Sequence, residues 1–224
     1  MNLRTALTTI HRDPQWWRKI LIGGALMLTV VGYPWGAGLV IESLDATRKG
    51  FPTPLPPWRA WGDRYVLGLL AVLIDLLFFV LPIFAMGLVF LCLSVIVLTA
   101  NIAGAGWLVI VVLTVFGGYE LAAFAASIAP VGRLNYVASG RVEDALGMAT
   151  VRAALAPRAR AVYGRARLQS LPAYGPALLL VVVTWLVPWP WKLLGLWLAL
   201  SALLYAHLAT MQLYAAAESD VLFG

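Results

Sequence analysis

From Tyr65 to Thr99 the chain runs about 35 residues with one charged side chain, Asp75. As a straight helix that run is about 52 Å long at 1.5 Å per residue, whereas about 20 residues cross the roughly 30 Å hydrocarbon core of a bilayer. Further apolar runs follow the same habit: Ile20 to Ile41, Trp107 to Ala129, Leu171 to Leu186 and Leu193 to Ala217. A soluble fold of 224 residues has no interior large enough to hide them, because much of its surface still meets water. The whole chain is 62% hydrophobic and 12% charged, against about 45–50% and about 25% in soluble domains. The expected fold is all-α, a polytopic transmembrane helical bundle with amphipathic surface helices. It forms one domain over residues 1–224, with four to five membrane segments, one of them re-entrant in the favoured version.

The apolar runs are separated by readable punctuation. Residues 1–19 place Leu3, Leu7 and Ile10 at helical spacing, with Arg4, Thr8 and Arg12 between them, which predicts an amphipathic surface helix. Trp16, Trp17, Arg18 and Lys19 then make an interface anchor, since indoles favour the headgroup level and cations reach toward phosphate. Trp58 with Trp61, and Trp189 with Trp191, read as further anchors. The segment 20–41 is interrupted by Gly32-Tyr33-Pro34-Trp35-Gly36, so it is a kinked span or a re-entrant pair of half-helices. It lacks a small-x-small cleavage site and is not expected to be a signal peptide. Residues 65–130 form a helical hairpin, kinked near Pro82 and ending at Pro130. Residues 131–170 form a basic segment with a short surface helix that Pro157 ends, and 171–217 form a second hairpin about Pro188–Lys192.

Charge orients these pieces. Of the 16 Lys and Arg residues, four lie in 1–19, four in 42–64 and seven in 131–170. Cationic short loops stay in the cytoplasm, which puts all three regions and the N-terminus there if 20–41 re-enters. In the rival arrangement 20–41 spans, the long run splits at Pro82, and 42–64 lies outside. The net charge of +6 is thus a membrane-topology signal; no base-reading motif accompanies it, and no nucleic-acid partner is expected. The expected site is the cytoplasmic (inner) membrane of a prokaryote.

With that topology, Asp75, Glu120 and His207 each fall about ten residues, or about 15 Å, from a cytoplasmic segment end. Tyr119, Tyr205 and Gln212 are their neighbours in sequence. Ionisable groups at the midplane are costly and find partners. Two readings stay open: an interhelical polar clamp, with the carboxyls protonated, or a proton- or cation-handling cluster in which His207 titrates. A lone histidine on a membrane helix also suits a haem or chlorophyll-type pigment, although no second ligand or attachment motif accompanies His207. Small residues mark close helix contacts: Gly118, Ala122 and Ala126 on one segment, and Ala199, Ala202 and Ala206 on another. The single Cys92 excludes an internal disulfide, and no metal site is expected. There is no nucleophile elbow, no zinc helix and no phosphate loop, so no catalytic residues are assigned and an enzyme is not expected.

Three blocks carry a resemblance. "RDPQWWRKILIGGALML" (Arg12 to Leu28), "PLPPWRAWGDRYVLGLL" (Pro54 to Leu70) and "YAHLATMQLY" (Tyr205 to Tyr214) are similar to recurring blocks of a bacterial and archaeal multi-pass membrane family. That family is catalogued as domain of unknown function 4013. The resemblance implies a fold and a location and no reaction. The functional expectation is a non-catalytic accessory or scaffolding subunit that packs against lipids and other membrane proteins. Its alternatives are a transporter or channel component using Asp75, Glu120 and His207, and a pigment- or haem-binding subunit using His207.

Overall fold

The computed structural model of the chain describes residues 2–99 and 104–223, with the side chains of 79–81, 105, 116, 119–127 and 223 outside the described set. The described residues form helices and the turns that join them, with no strand among them.

Helix α1 (Leu3–His11) starts where the Asn2 carboxamide accepts a hydrogen bond from the Thr5 amide at 3.0 Å, satisfying one of the free N–H groups of the first turn. Ala6 and Ile10, one turn apart, are fully buried, and the helix packs on the long C-terminal helix. Asp13 then ties the next turn together. It accepts from the Gln15 amide at 2.8 Å and pairs with Lys19, whose ammonium also donates to the Leu55 carbonyl at 2.5 Å. Lys19 therefore clasps the proline-rich segment, in addition to any reach toward lipid phosphate.

Residues 20–41 are not one helix. Helix α2 (Trp16–Met27) ends before a 3-10 turn at Val30–Gly32, where Thr29 Oγ1 accepts from the Gly32 amide at 3.0 Å. Pro34 then sits in the first turn of α3 (Tyr33–Arg48), where its missing N–H costs nothing. The two helices pack on each other. Twelve and 16 residues are each short of a span. Val30 and Val31, on the turn between them, are 92% and 67% exposed.

Helix α4 (Trp61–Asp75) crosses α3 with glycines at the contact. A Cβ on Gly68 would meet the Pro34 carbonyl, and one on Gly38 the Arg64 carbonyl. Packing of this kind matters more here than apolar burial, since lipid tails are as apolar as leucine and hydrophobic burial drives little helix association. The same crossing encloses an ion pair. Arg64, 1% exposed, donates to Glu42 Oε2 from Nε at 2.9 Å and Nη2 at 2.5 Å, and to the Pro57 carbonyl at 2.8 Å. Its guanidinium lies 4.6 Å over the Trp58 ring, which itself stacks on Trp61.

After Asp75 the chain makes one widened, π-type turn, Leu76–Val80, and continues as α5 (Leu81–Thr99). Pro82 accounts for that turn. Its ring would strike the carbonyl four residues back in a regular helix, and a wider turn relieves the clash. The long apolar run therefore continues through its proline as helix. Helix α6 (Ala105–Ser139) also continues where an end was expected: Pro130 lies inside it, and residues 131–139, assigned to the basic segment, are its last turns. A proline removes one hydrogen bond and strains one turn, which packing on both sides outweighs. Gly140, with φ +70°, closes the helix.

Residues 142–170 form three short helices: α7 (Val142–Leu146), α8 (Met148–Leu155) and α9 (Pro157–Ser170). Pro157 ends one and begins the next. A 3-10 turn, Leu171–Tyr174, leads into α10 (Gly175–Leu186), and α11 (Trp191–Phe223) returns beside it, continuous past the acidic residues Glu218 and Asp220. Helix α11 is the axis of the bundle, packed on α1, α2, α3, α9 and α10. Ala199, Ala206 and Ala209 are buried on it, Ala202 is half-buried, and Gly24 of α2 lies against Ser201. Among the described residues, nothing lies within 4 Å of where a Cβ on Gly118, expected at a close helix contact, would sit; Ala122 and Ala126 lie outside the described side chains. Trp17, Trp61, Trp189 and Trp191 are exposed, while Trp16 and Trp58 are half-buried. Arg18 lies 5.0 Å over the Trp17 ring.

Among the described residues, three helical stretches are long and apolar enough to cross a membrane, Trp61–Thr99, Pro157–Leu186 and Trp191–Leu222, with a shorter apolar one at Gly106–Val115.

Candidate functional site

The aspartate inside the apolar run has a partner that the apolar run does not contain. Asp75, the last residue of α4, receives Arg133 of α6 in a two-point pair: Nε donates to Oδ1 at 2.8 Å, and Nη2 donates to Oδ2. The geometry depends on α6 running on through Pro130, which carries Arg133 around to face α4. Close approach helps, because Ile74 and Phe78 lie where a Cβ on Gly132 would have to go. A planar fork meeting both carboxylate oxygens is the strongest arrangement available to such a pair.

This pair forms part of the wall of a cavity of about 190 Å³. Tyr33 of α3 closes one side, with Ala129 and Pro130 of α6 beside the pair. The opposite wall comes from α9 and α11: Arg167, then His207, Thr210 and Tyr214, with Tyr174 from the turn between. These groups touch one another. The Arg167 guanidinium lies 5.7 Å over the Tyr174 ring, the His207 ring meets Tyr174 edge-on at 5.6 Å, and the Tyr174 hydroxyl is 3.1 Å from Thr210 Oγ1. The one-turn spacing of His207, Thr210/Met211 and Tyr214 on α11 brings them to a single face.

Of the residues anticipated together, Asp75 and His207 share this cavity. Tyr205 does not. It points to α1, where its hydroxyl is 2.8 Å from His11 Nε2 and its ring stacks on His11 and Trp16. The reason is helical phase, since positions two apart on a helix face different sides. Gln212 is buried elsewhere, donating to Thr47 Oγ1 at 2.9 Å. Tyr119 and Glu120 lie on α6, with side chains outside the described residues. No group of three potential metal ligands occurs among the described residues.

Sequence reading missed Arg133, Arg167, Tyr33 and Tyr174. Both arginines were absorbed into the count of basic residues that set topology. Arg133 had one usable signal: continuing the helix through Pro130 places it less than one turn beyond the proline, at the edge of the apolar run. Tyr33 and Tyr174 had none.

Bilayer-length apolar helices that enclose a polar cavity together with shorter ones define an α-helical membrane protein. The chain belongs to the family described as Protein of unknown function (DUF4013), whose family model matches residues 21–189. The match takes in Asp75, Arg133, Arg167 and Tyr174, and stops short of His207 and the Tyr205–Tyr214 block. No curated protein and no solved structure matches the chain.

Proposed function

We propose that the protein is a non-catalytic accessory or scaffolding subunit of a larger complex in a prokaryotic cytoplasmic membrane, with its N-terminus and basic segments on the cytoplasmic side. The observation that supports this most is the arm formed by α5 and the start of α6. Among the described residues, helix α5 has substantial packing only against α6 and the π-type turn behind it. Phe84, Leu88, Leu91, Ile96, Leu108 and Val115 are all exposed along the arm, on a surface far too large and apolar for water. Lipid covers part of it, and a second protein is the partner such a surface fits. The division of 20–41 into two sub-span helices with an exposed apolar turn supports the re-entrant topology, and with it the placement of 1–19, 42–64 and 131–170 on one side.

Cys92, the only cysteine, is exposed on the arm and serves as a native probe. In intact membranes a charged maleimide should leave it unlabelled, and a membrane-permeable crosslinker should trap it with a partner. Solubilised in mild detergent from native membranes, the protein should elute in a stoichiometric larger assembly. Elution alone, with Cys92 open to the charged reagent, would refute the reading.

A second reading, transport of protons or cations through Asp75 and His207, draws support from their shared cavity. Against it, Asp75 is occupied by Arg133, and a further arginine, Arg167, lines the cavity. Ion flux in liposomes lost in Asp75→Asn would favour it. A pigment or haem at His207 draws little support, since about 190 Å³ is below the roughly 300–1,000 Å³ of ordinary ligand pockets.

A further inference from the structure

The charges around the cavity do not cancel. Asp75 is matched by Arg133, which meets both of its oxygens. Arg167 remains. Among the described residues it enters no ion pair, and it is held half-buried by stacking on Tyr174 and by a side-chain hydrogen bond to Tyr214. A cavity whose walls carry a matched pair and one extra guanidinium repels cations. A neutral occupant would leave the extra charge without a counter-ion in a partly desolvated place, which costs free energy. The remaining wall groups are suited to an anion: the Tyr33 and Tyr174 phenols carry hydroxyl donors, and a guanidinium offers a planar fork that matches oxyanions. The volume of about 190 Å³ holds about six waters at ~30 Å³ each, enough for one tetrahedral oxyanion and its bridging waters.

We propose that the cavity between α3, α4, α6, α9 and α11 binds a single phosphate-class anionic group, with Arg167 as its principal ligand and Tyr174 as a hydroxyl donor. The Asp75–Arg133 pair is then the fixed floor of the site. Two sources carry this chemistry, the headgroup of an anionic lipid and free phosphate. The site is independent of whether the arm recruits a partner.

The test uses the purified full-length protein, stripped of lipid in a neutral maltoside, with thermal unfolding followed by tryptophan fluorescence. One arm titrates inorganic phosphate against sodium chloride of equal ionic strength. The other titrates dioleoylphosphatidylglycerol against dioleoylglycerol, which shares its acyl chains and lacks the phosphate. Saturable stabilisation by one phosphate-bearing probe and not its control is expected, and which probe acts names the source. Arg167→Gln should weaken binding about 10- to 100-fold, the loss of a hydrogen bond to a charged group. Tyr174→Phe keeps the stacked ring and should weaken it a few-fold, so it carries the test if Arg167→Gln does not fold. Arg165→Gln, exposed on the same helix and outside the cavity, should bind as the parent does. No saturable shift with either probe would overturn the proposal, and so would equal losses in Arg167→Gln and Arg165→Gln, which mark general surface charge.

Discussion

Asp75→Asn removes one charge from a pair that is mostly out of water and leaves the other stranded. The side chains of Arg133 and Asp75 are 12% and 22% exposed. Breaking a buried pair from one side costs about 3–5 kcal/mol, because the surviving charge keeps its desolvation penalty and loses its partner. Partial exposure and the oxygen that asparagine retains put this case at the lower end, about 3 kcal/mol. For a chain of this length each kcal/mol moves the unfolding midpoint by about 2–4 °C, so a fall of about 6–12 °C is expected. Thermal-scanning size-exclusion in neutral detergent reads it. A second substitution, Arg133→Met, removes the stranded cation, so the double variant should recover more than half of the loss, with a coupling of at least about 1 kcal/mol. Midpoints for Asp75→Asn within 1 °C of the parent, or a double variant as poor as the two single losses added together, would refute the assignment of Asp75 as the counter-ion of Arg133.

The other expectations are smaller experiments on the same instrument. Gly68→Ala should destabilise by about 1–3 kcal/mol, because its methyl meets the Pro34 carbonyl and backbone must move; Gly87→Ala, with nothing within 4 Å, should be neutral or up to about 1 kcal/mol stabilising through helix propensity. Glu42→Gln should cost about 3–5 kcal/mol and exceed Asp75→Asn, since Arg64 is the more deeply buried cation. Tyr205→Phe should cost about 0.5–1.5 kcal/mol through its bond to His11 and leave phosphate-probe binding unchanged; altered binding would show that Tyr205 acts on the cavity after all.

Some of this architecture is written in composition. A 35-residue apolar run, repeated apolar segments and clustered arginines determine an all-helical membrane chain, because only helices satisfy their own backbone in lipid. The break at Gly32-Tyr33-Pro34 is equally legible, since glycine and proline act locally through φ and a missing donor. The fate of the other prolines is not. Pro82 and Pro130 carry the same local penalty as Pro157, yet helix continues past the first two, because a widened turn at one and flanking packing at the other outweigh a single lost hydrogen bond. Which charge meets which is also a tertiary matter. Asp75 stands out because it is rare in an apolar run, but its partner is 58 residues away in a stretch that reads as part of the basic segment. Depth counted along separate helices put Asp75, Glu120 and His207 at one height, and height says nothing about azimuth. Tyr205 faces α1 while His207 faces the cavity, two residues on, because each residue turns a helix by about 100°, and only packing against neighbours decides which way each face looks.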